Sequence, residues 1–108
     1  MTVNELSQRP DFEPVCLPDG DREIVGCYCG DLLSWVMGRA KADQAWITIM
    51  SNVNIAAVAA LCDTSCIILS ENVSLDDDVK NVAEMKGINV LKTPLPTYEA
   101  AKALSEII

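Results

Sequence analysis

At 108 residues the chain can build one hydrophobic core and is too short for two. Half of it is apolar and 22% is charged, which is globular composition, and a net charge of −8 with only eight scattered basic residues excludes a nucleic-acid or anionic-membrane surface. No histidine is present, so Ser-His-Asp and Cys-His catalytic arrangements are excluded, along with the commonest general base.

The N-terminal stretch MTVNELSQRPDFEP lacks the basic and apolar regions of a signal peptide, and no apolar run approaches the roughly 20 residues of a membrane span. The five cysteines are odd in number and lie in strand-like or helix-like contexts, so the expectation is a cytoplasmic chain with reduced, buried and inert thiols. The whole of 1–108 is expected to form a single domain.

Thr2 and Glu5 have capping-box spacing and start a short helix that Arg9-Pro10 interrupts. Glu13 to Leu17 reads as a strand, closed by the turn Pro18-Asp19-Gly20-Asp21, and Arg22 to Cys29 as a second. That turn predicts a hairpin with the first strand at the sheet edge. Leu32, Leu33, Val36 and Met37 follow helical spacing, with Asp31 placed as N-cap. Trp46 to Met50 is a strand buried on both faces, and Ile55 to Leu61 is an Ala-rich helix, apolar all round.

Cys66 to Leu69 is the next buried strand. Ser74 is placed to cap a helix carrying Asp76, Asp77 and Asp78 in its first turn, where carboxylates suit the dipole. Val79, Val82, Ala83 and Met85 are expected on its inner face, and Gly87 is a natural terminator. Ile88 to Leu91 forms the last strand. Thr97 opens a final helix with Tyr98, Ala101, Leu104 and Ile108 on one face. Strand and helix thus alternate about every 20 residues, which predicts an α/β fold with a mostly parallel central sheet flanked by helices.

Ligands of such sheets bind beyond the carboxyl ends of the strands. The residues expected there are Gly30 and Asp31, Ser51, Asn52 and Asn54, Ser70, Glu71 and Asn72, and Lys92 with Thr93. Ser and Asn at these positions cap helices, and they also donate to ligand oxygens; residue type alone leaves both roles open. Asp31 and Glu71 can share the edge, but helix capping is the simpler role for Asp31, and no metal set is predicted. Cys27 and Cys29, two apart on a strand, point to one face without the turn spacing of a zinc knuckle. With no phosphate loop and no base, the chain reads as a binding module that is not an enzyme and needs no cofactor.

Two segments, GDLLSWVMGRAKADQAWITIMSNVNIAAVAAL and CIILSENVSLDDDVKNVAEMKGINVLKTPLPTYEAAKAL, resemble the DRTGG domain. The likeness runs from about Arg22 to Leu104. This domain is similar to the N-terminal domain of HPr kinase/phosphorylase, and it also occurs in some phosphotransacetylases and between the CBS domains of family II pyrophosphatases. Short stand-alone forms are encoded near hydrogenase and electron-transfer genes. The family is named for an Asp-Arg after one strand and a Thr-Gly-Gly after the next. Here Ser51-Asn52 and Ser70-Glu71-Asn72 stand at those places. The resemblance implies a regulatory or ligand-sensing role, linked to hydrogenase, electron transfer or carbon metabolism, with a nucleotide-like small molecule as ligand. The alternative is an adaptor that docks onto a hydrogenase or kinase subunit. A homodimer is expected because half the chain is apolar, more than one small core covers; the Ala56–Ala60 helix and the N-terminal edge strand are the candidate contacts.

Overall fold

Residues 1–108 are described by a computed structural model, and its elements follow the alternation of the sequence. α1 (Val3–Ser7) and β1 (Glu13–Cys16) lead into β2 (Gly26–Cys29), α2 (Leu33–Arg39), β3 (Gln44–Thr48) and α3 (Asn54–Cys62). Then come β4 (Cys66–Leu69), α4 (Asp77–Met85), β5 (Val90–Lys92) and α5 (Thr97–Ser105). The strands form one sheet in the order β1-β5-β4-β3-β2, with β2 to β5 parallel and β1 antiparallel to β5. The mostly parallel α/β sheet expected from the sequence is the architecture observed. No helix is long and apolar enough to cross a membrane.

The path through the sheet determines the layers. Each parallel crossover moves one strand in the same direction, so crossovers of one hand place α2, α3 and α4 on one face. Val36, Trp46, Ile55, Ala59, Ile67, Leu69 and Ala83 fill the core on that side. α5 returns over the opposite face, where α1 also packs, and Leu6, Ala45, Ile47, Cys66, Ile68, Leu91 and Leu104 fill a second core, so the sheet divides into two apolar layers what the chain length suggested would be one core. Along β3 and β4, neighbouring residues therefore alternate between the two cores, as strand geometry demands. Both strands are buried on both faces, which explains their unbroken apolar runs.

The expected hairpin does not form. β1 and β2 lie at opposite edges of the sheet, although β1 is an edge strand as anticipated. Residues 19–25 instead run along the amino ends of the strands. Asn89, just before β5, donates to the Asp19 carbonyl at 2.8 Å and accepts from the Asp19 N–H at 2.9 Å. Farther on, the Val25 N–H donates to the Asp43 carbonyl just before β3. The segment consequently cannot pair with β1, and β2 begins at Gly26 rather than Arg22.

Arg22 fastens this crossing. It donates to Asp43 at 2.7 Å, to the Asp63 carboxylate at 2.9 Å and to the Asp63 carbonyl at 2.9 Å. Asp43 and Asp63 both have left-handed backbone, φ 65° and 58°, which L residues adopt only at a cost. Asp63 closes α3 where a glycine is usual, and Arg22 is what favours aspartate there. At the same edge, a Cβ on Gly20 would overlap the Asn4 side chain, whose amide donates to Asp21 at 3.1 Å.

Several local expectations are corrected. The Thr2–Glu5 capping box and the Gly87 terminator (φ 74°) are present. Gly87 and Ile88 donate back to Glu84 and Ala83, the paired bonds of a Schellman ending. Ser74 caps nothing: α4 starts after Asp76, with Asp77 and Asp78 in its first turn, because Ser74 sits in the extended approach and accepts from Lys92. Met85, on the last turn of α4, is 88% exposed and not inward. In α5 the buried residues are Ala100 and Leu104, while Tyr98 is 72% exposed and Ile108 is also outside. α3 is buried on one side only, through Ile55, Ala56, Val58 and Ala59; Ala57, Ala60 and Leu61 are exposed. A helix laid on a sheet can bury only one stripe, whatever its composition.

Arg22→Ala is expected to destabilise the chain by about 1–2 kcal/mol in urea unfolding, since three bonds to two left-handed aspartates are lost at a partly exposed site.

Candidate functional site at the carboxyl edge

The four parallel strands bring all ten residues expected at the carboxyl ends to one edge of the sheet. There they divide into residues the fold uses and residues it leaves open. Asp31, expected as a helix cap, is not one: the N-cap of α2 is Leu32, with no side-chain bond. Asp31 Oδ1 instead accepts from Thr48 Oγ1 at 2.8 Å and from the Ile49 N–H at 2.9 Å, pinning the end of β2 to the end of β3. Beside it the Gly30 carbonyl accepts from Trp46 Nε1 at 2.9 Å. A buried tryptophan needs such an acceptor, and the junction supplies it.

Ser70 and Thr93 are equally committed. Both are fully buried. Ser70 Oγ bonds Thr97 Oγ1 at 2.8 Å, and Thr93 Oγ1 accepts from the Leu95 N–H at 3.2 Å. The Glu71 and Asn72 N–H groups donate to the carbonyls of Leu95 and Thr93, both at 2.9 Å, so the loops after β4 and β5 are joined through backbone. Lys92 reaches Glu13 at 3.7 Å and Ser74 at 3.5 Å, a tie between strand and loop.

What stays open lies after β3 and β4, the two strands at the centre of the parallel run. Asn52, Asn54, Glu71 and Asn72 are exposed and Ser51 is half-buried. Asn52 Oδ1 accepts from the Asn54 N–H at 2.9 Å, which leaves its NH₂ group facing outward. Exposed Ile49 and Val53 flank this loop. None of the ten residues lines a surface cavity; the two cavities lie elsewhere. No group of three or more acidic or thiol side chains is clustered for a metal.

A model of the DRTGG domain matches residues 29–107. The chain belongs to the DRTGG domain family. Among solved structures it is similar to the CBS and DRTGG domains of the regulatory region of Clostridium perfringens pyrophosphatase, in complex with its activator diadenosine tetraphosphate. The TM-score is 0.62 at 13% identity, over 84% of this chain and 40% of that one, so the chain spans less than half the length of that neighbour and the likeness carries the fold. No curated protein matches the chain in sequence.

The DRTGG name gains a physical meaning at β4. Glu71 and Asn72, which the family resemblance sets at the Gly-Gly of its name, both have left-handed backbone, φ 58° and 60°. Glycine takes that conformation without steric cost, so this chain keeps a glycine-type loop with residues that strain to adopt it. The Val73 N–H closes the turn onto the Ser70 carbonyl at 3.2 Å.

The expectation of buried thiols holds for two of the five. Cys16 and Cys66 are buried, and burial raises both pKa values, Cys66 to about 12. Cys29 is exposed, however, and Cys27 and Cys62 are half-buried. Cys27 and Cys29 do share a face, with sulfurs 3.9 Å apart. They line a cleft of about 390 Å³ together with Tyr98, Ala101, Lys102 and Ser105 of α5. Their spacing was visible in the sequence, but the lysine 73 positions beyond Cys29 was not.

Glu71→Gly should raise stability by about 0.5–1 kcal/mol by releasing left-handed strain, whereas Glu71→Val should lower it by more than about 1 kcal/mol. Chemical unfolding of both variants checks the pair.

Proposed function

We propose that this DRTGG-family chain is a non-catalytic regulatory module that works as a homodimer and senses a small nucleotide-like ligand. One observation carries the reading: the loops after β3 and β4 present Ser51, Asn52, Asn54, Glu71 and Asn72 outward, while Asp31, Ser70 and Thr93 are spent on hydrogen bonds that hold the fold. Hydroxyl and amide groups of this kind donate to ring nitrogens and ribose oxygens. No arginine stands at the Asp-Arg position, and the net charge is −8, so recognition rests on the nucleoside part and not on a bidentate phosphate clamp. The regulatory region of the similar pyrophosphatase, with its bound activator, supports a role of this type.

Small-molecule sites need concave walls, and one copy supplies none at these loops. In the dimer the second copy provides the wall. Exposed Leu32, Trp35 and Met37 on α2, Val53 beside the loop and Leu61 on α3 are the apolar surface for that contact. The Arg39 guanidinium lies over the Trp35 ring, 3.8 Å from its centroid. A link to hydrogenase, electron transfer or carbon metabolism follows from the family resemblance. The same apolar surface also favours a second reading, an adaptor docking onto a hydrogenase or kinase subunit without any ligand.

Thermal unfolding with adenosine, AMP, ATP and diadenosine tetraphosphate separates the two. Ligand at a hundred times its Kd adds about 2.7 kcal/mol, roughly 10 °C or more for a chain of this size. The sensor reading predicts such a shift with at least one compound, its loss in Asn52→Ala/Asn54→Ala, and a dimer by light scattering. No shift with any of them, together with co-purification of a larger subunit, would establish the adaptor instead.

A further inference from the structure

On the α5 side of the sheet, Cys27 and Cys29 occupy the edge strand β2, which pairs only with β3. Their sulfurs are 3.9 Å apart and open into the cleft that Tyr98, Ala101, Lys102 and Ser105 complete. The other three cysteines lie outside it. Cys16 and Cys66 are buried, and Cys62 bonds the Val36 carbonyl at 3.5 Å. The cleft therefore holds two thiols, an apolar wall and one cation on an otherwise acidic molecule.

We propose that Cys27 and Cys29 form a thiol–disulfide exchange couple whose cleft takes a small anionic disulfide. The hydrogen bond from the Cys27 thiol holds Cys29 down, to about 7, against burial and the Asp31 carboxylate, which push it up. The same bond, with burial, raises Cys27, so the pair loses one proton readily and keeps the second. Cys29 thiolate attacks one sulfur of the small disulfide; the Cys29–sulfur bond forms, the old S–S bond breaks, and the leaving thiolate takes up a proton. Cys27 then gives up its proton, and its sulfur displaces the second thiolate from Cys29. The protein dithiol is oxidised by two electrons to a disulfide, and the small disulfide is reduced to two thiols.

Strand geometry makes this bond reversible. Two residues of strand span about 6.6 Å, close to the upper end of the ~4.4–6.8 Å separations a disulfide bridges. A bridge so stretched is easily reduced. The free edge of β2 lets the backbone pucker to close it without breaking a sheet bond on that side. Lys102 gives the cleft its preference for an anionic partner; Asp31 at the end of β2 is the opposing charge.

The test is reaction of the intact chain with oxidised glutathione, read by intact mass and peptide mapping. The wild type should lose two hydrogens as a Cys27–Cys29 bridge, with a rate that rises through about pH 7. Cys27→Ser and Cys27→Ala should instead gain one glutathione on Cys29, and in Cys27→Ala, which has no donor, the rate midpoint should move toward the ordinary thiol value of about 8.5. Lys102→Glu should slow oxidised glutathione severalfold and leave a neutral dipyridyl disulfide unaffected. Lasting glutathione on wild-type Cys29, Cys29-linked dimers, Cys62 reacting as fast as Cys29, or no reaction would each overturn the proposal.

Discussion

Burial of β3 and β4 on both faces is the constraint from which the rest of the molecule follows. Trp46 and Ile47, and likewise Ile67 and Ile68, are fully buried neighbours that must point to opposite sides. A slip of one residue would send each into the wrong core, so the register is tightly specified. Two covered faces require helices on both, and parallel pairing requires long crossovers, which α2, α3 and α4 supply on one side. Trp46 adds a directional pin through its indole N–H to the Gly30 carbonyl. Once this register is set, four strand ends and four loops fall on a single edge.

That edge separates structural from available polarity. Where a loop must hold against its neighbour, the polar atoms are paired: Asp31 with Thr48 and Ile49, and the buried Ser70 with Thr97 and Thr93 with Leu95. Buried polar groups without such partners would each cost about 1–3 kcal/mol, so their commitment is expected. The loop after β4 closes through backbone, with Val73 on Ser70, and leaves Glu71 and Asn72 outward, while after β3 Asn52 spends only its carbonyl oxygen, on the Asn54 N–H. Strained backbone at Glu71 and Asn72 lies in the same place, as it does at Asp43 and Asp63 on the opposite edge.

The parts of this fold that were legible in the sequence are those set by local chemistry. The all-apolar runs at Ile47 and Ile67 identify two-sided strands, the Thr2–Glu5 pair identifies a helix start, and Gly87 identifies an ending. What was illegible depends on partners far along the chain. Pro18-Asp19-Gly20-Asp21 has the residues of a hairpin turn, yet Asn89 and the Asp43–Asp63 pair bound to Arg22 direct that segment across the sheet. Asp31 looks like a cap because caps are local, whereas its partner Thr48 is a strand away. The residues expected at the carboxyl edge do lie there, but which of them are paired and which are free follows from contacts that only the folded chain shows. The Cys27–Cys29 spacing could be read directly, and the cleft that exposes it depends on α5.

The central claim is that the loops after β3 and β4 are the open, ligand-facing part of the edge. Amide chemical shifts of the isotope-labelled chain, followed during titration with the nucleotide that stabilises it best, test this most directly. The account predicts shifts centred on Ser51–Asn54 and Glu71–Asn72, with Asp31 and Thr93 changing little. Shifts centred elsewhere, or none at saturating nucleotide, would contradict it.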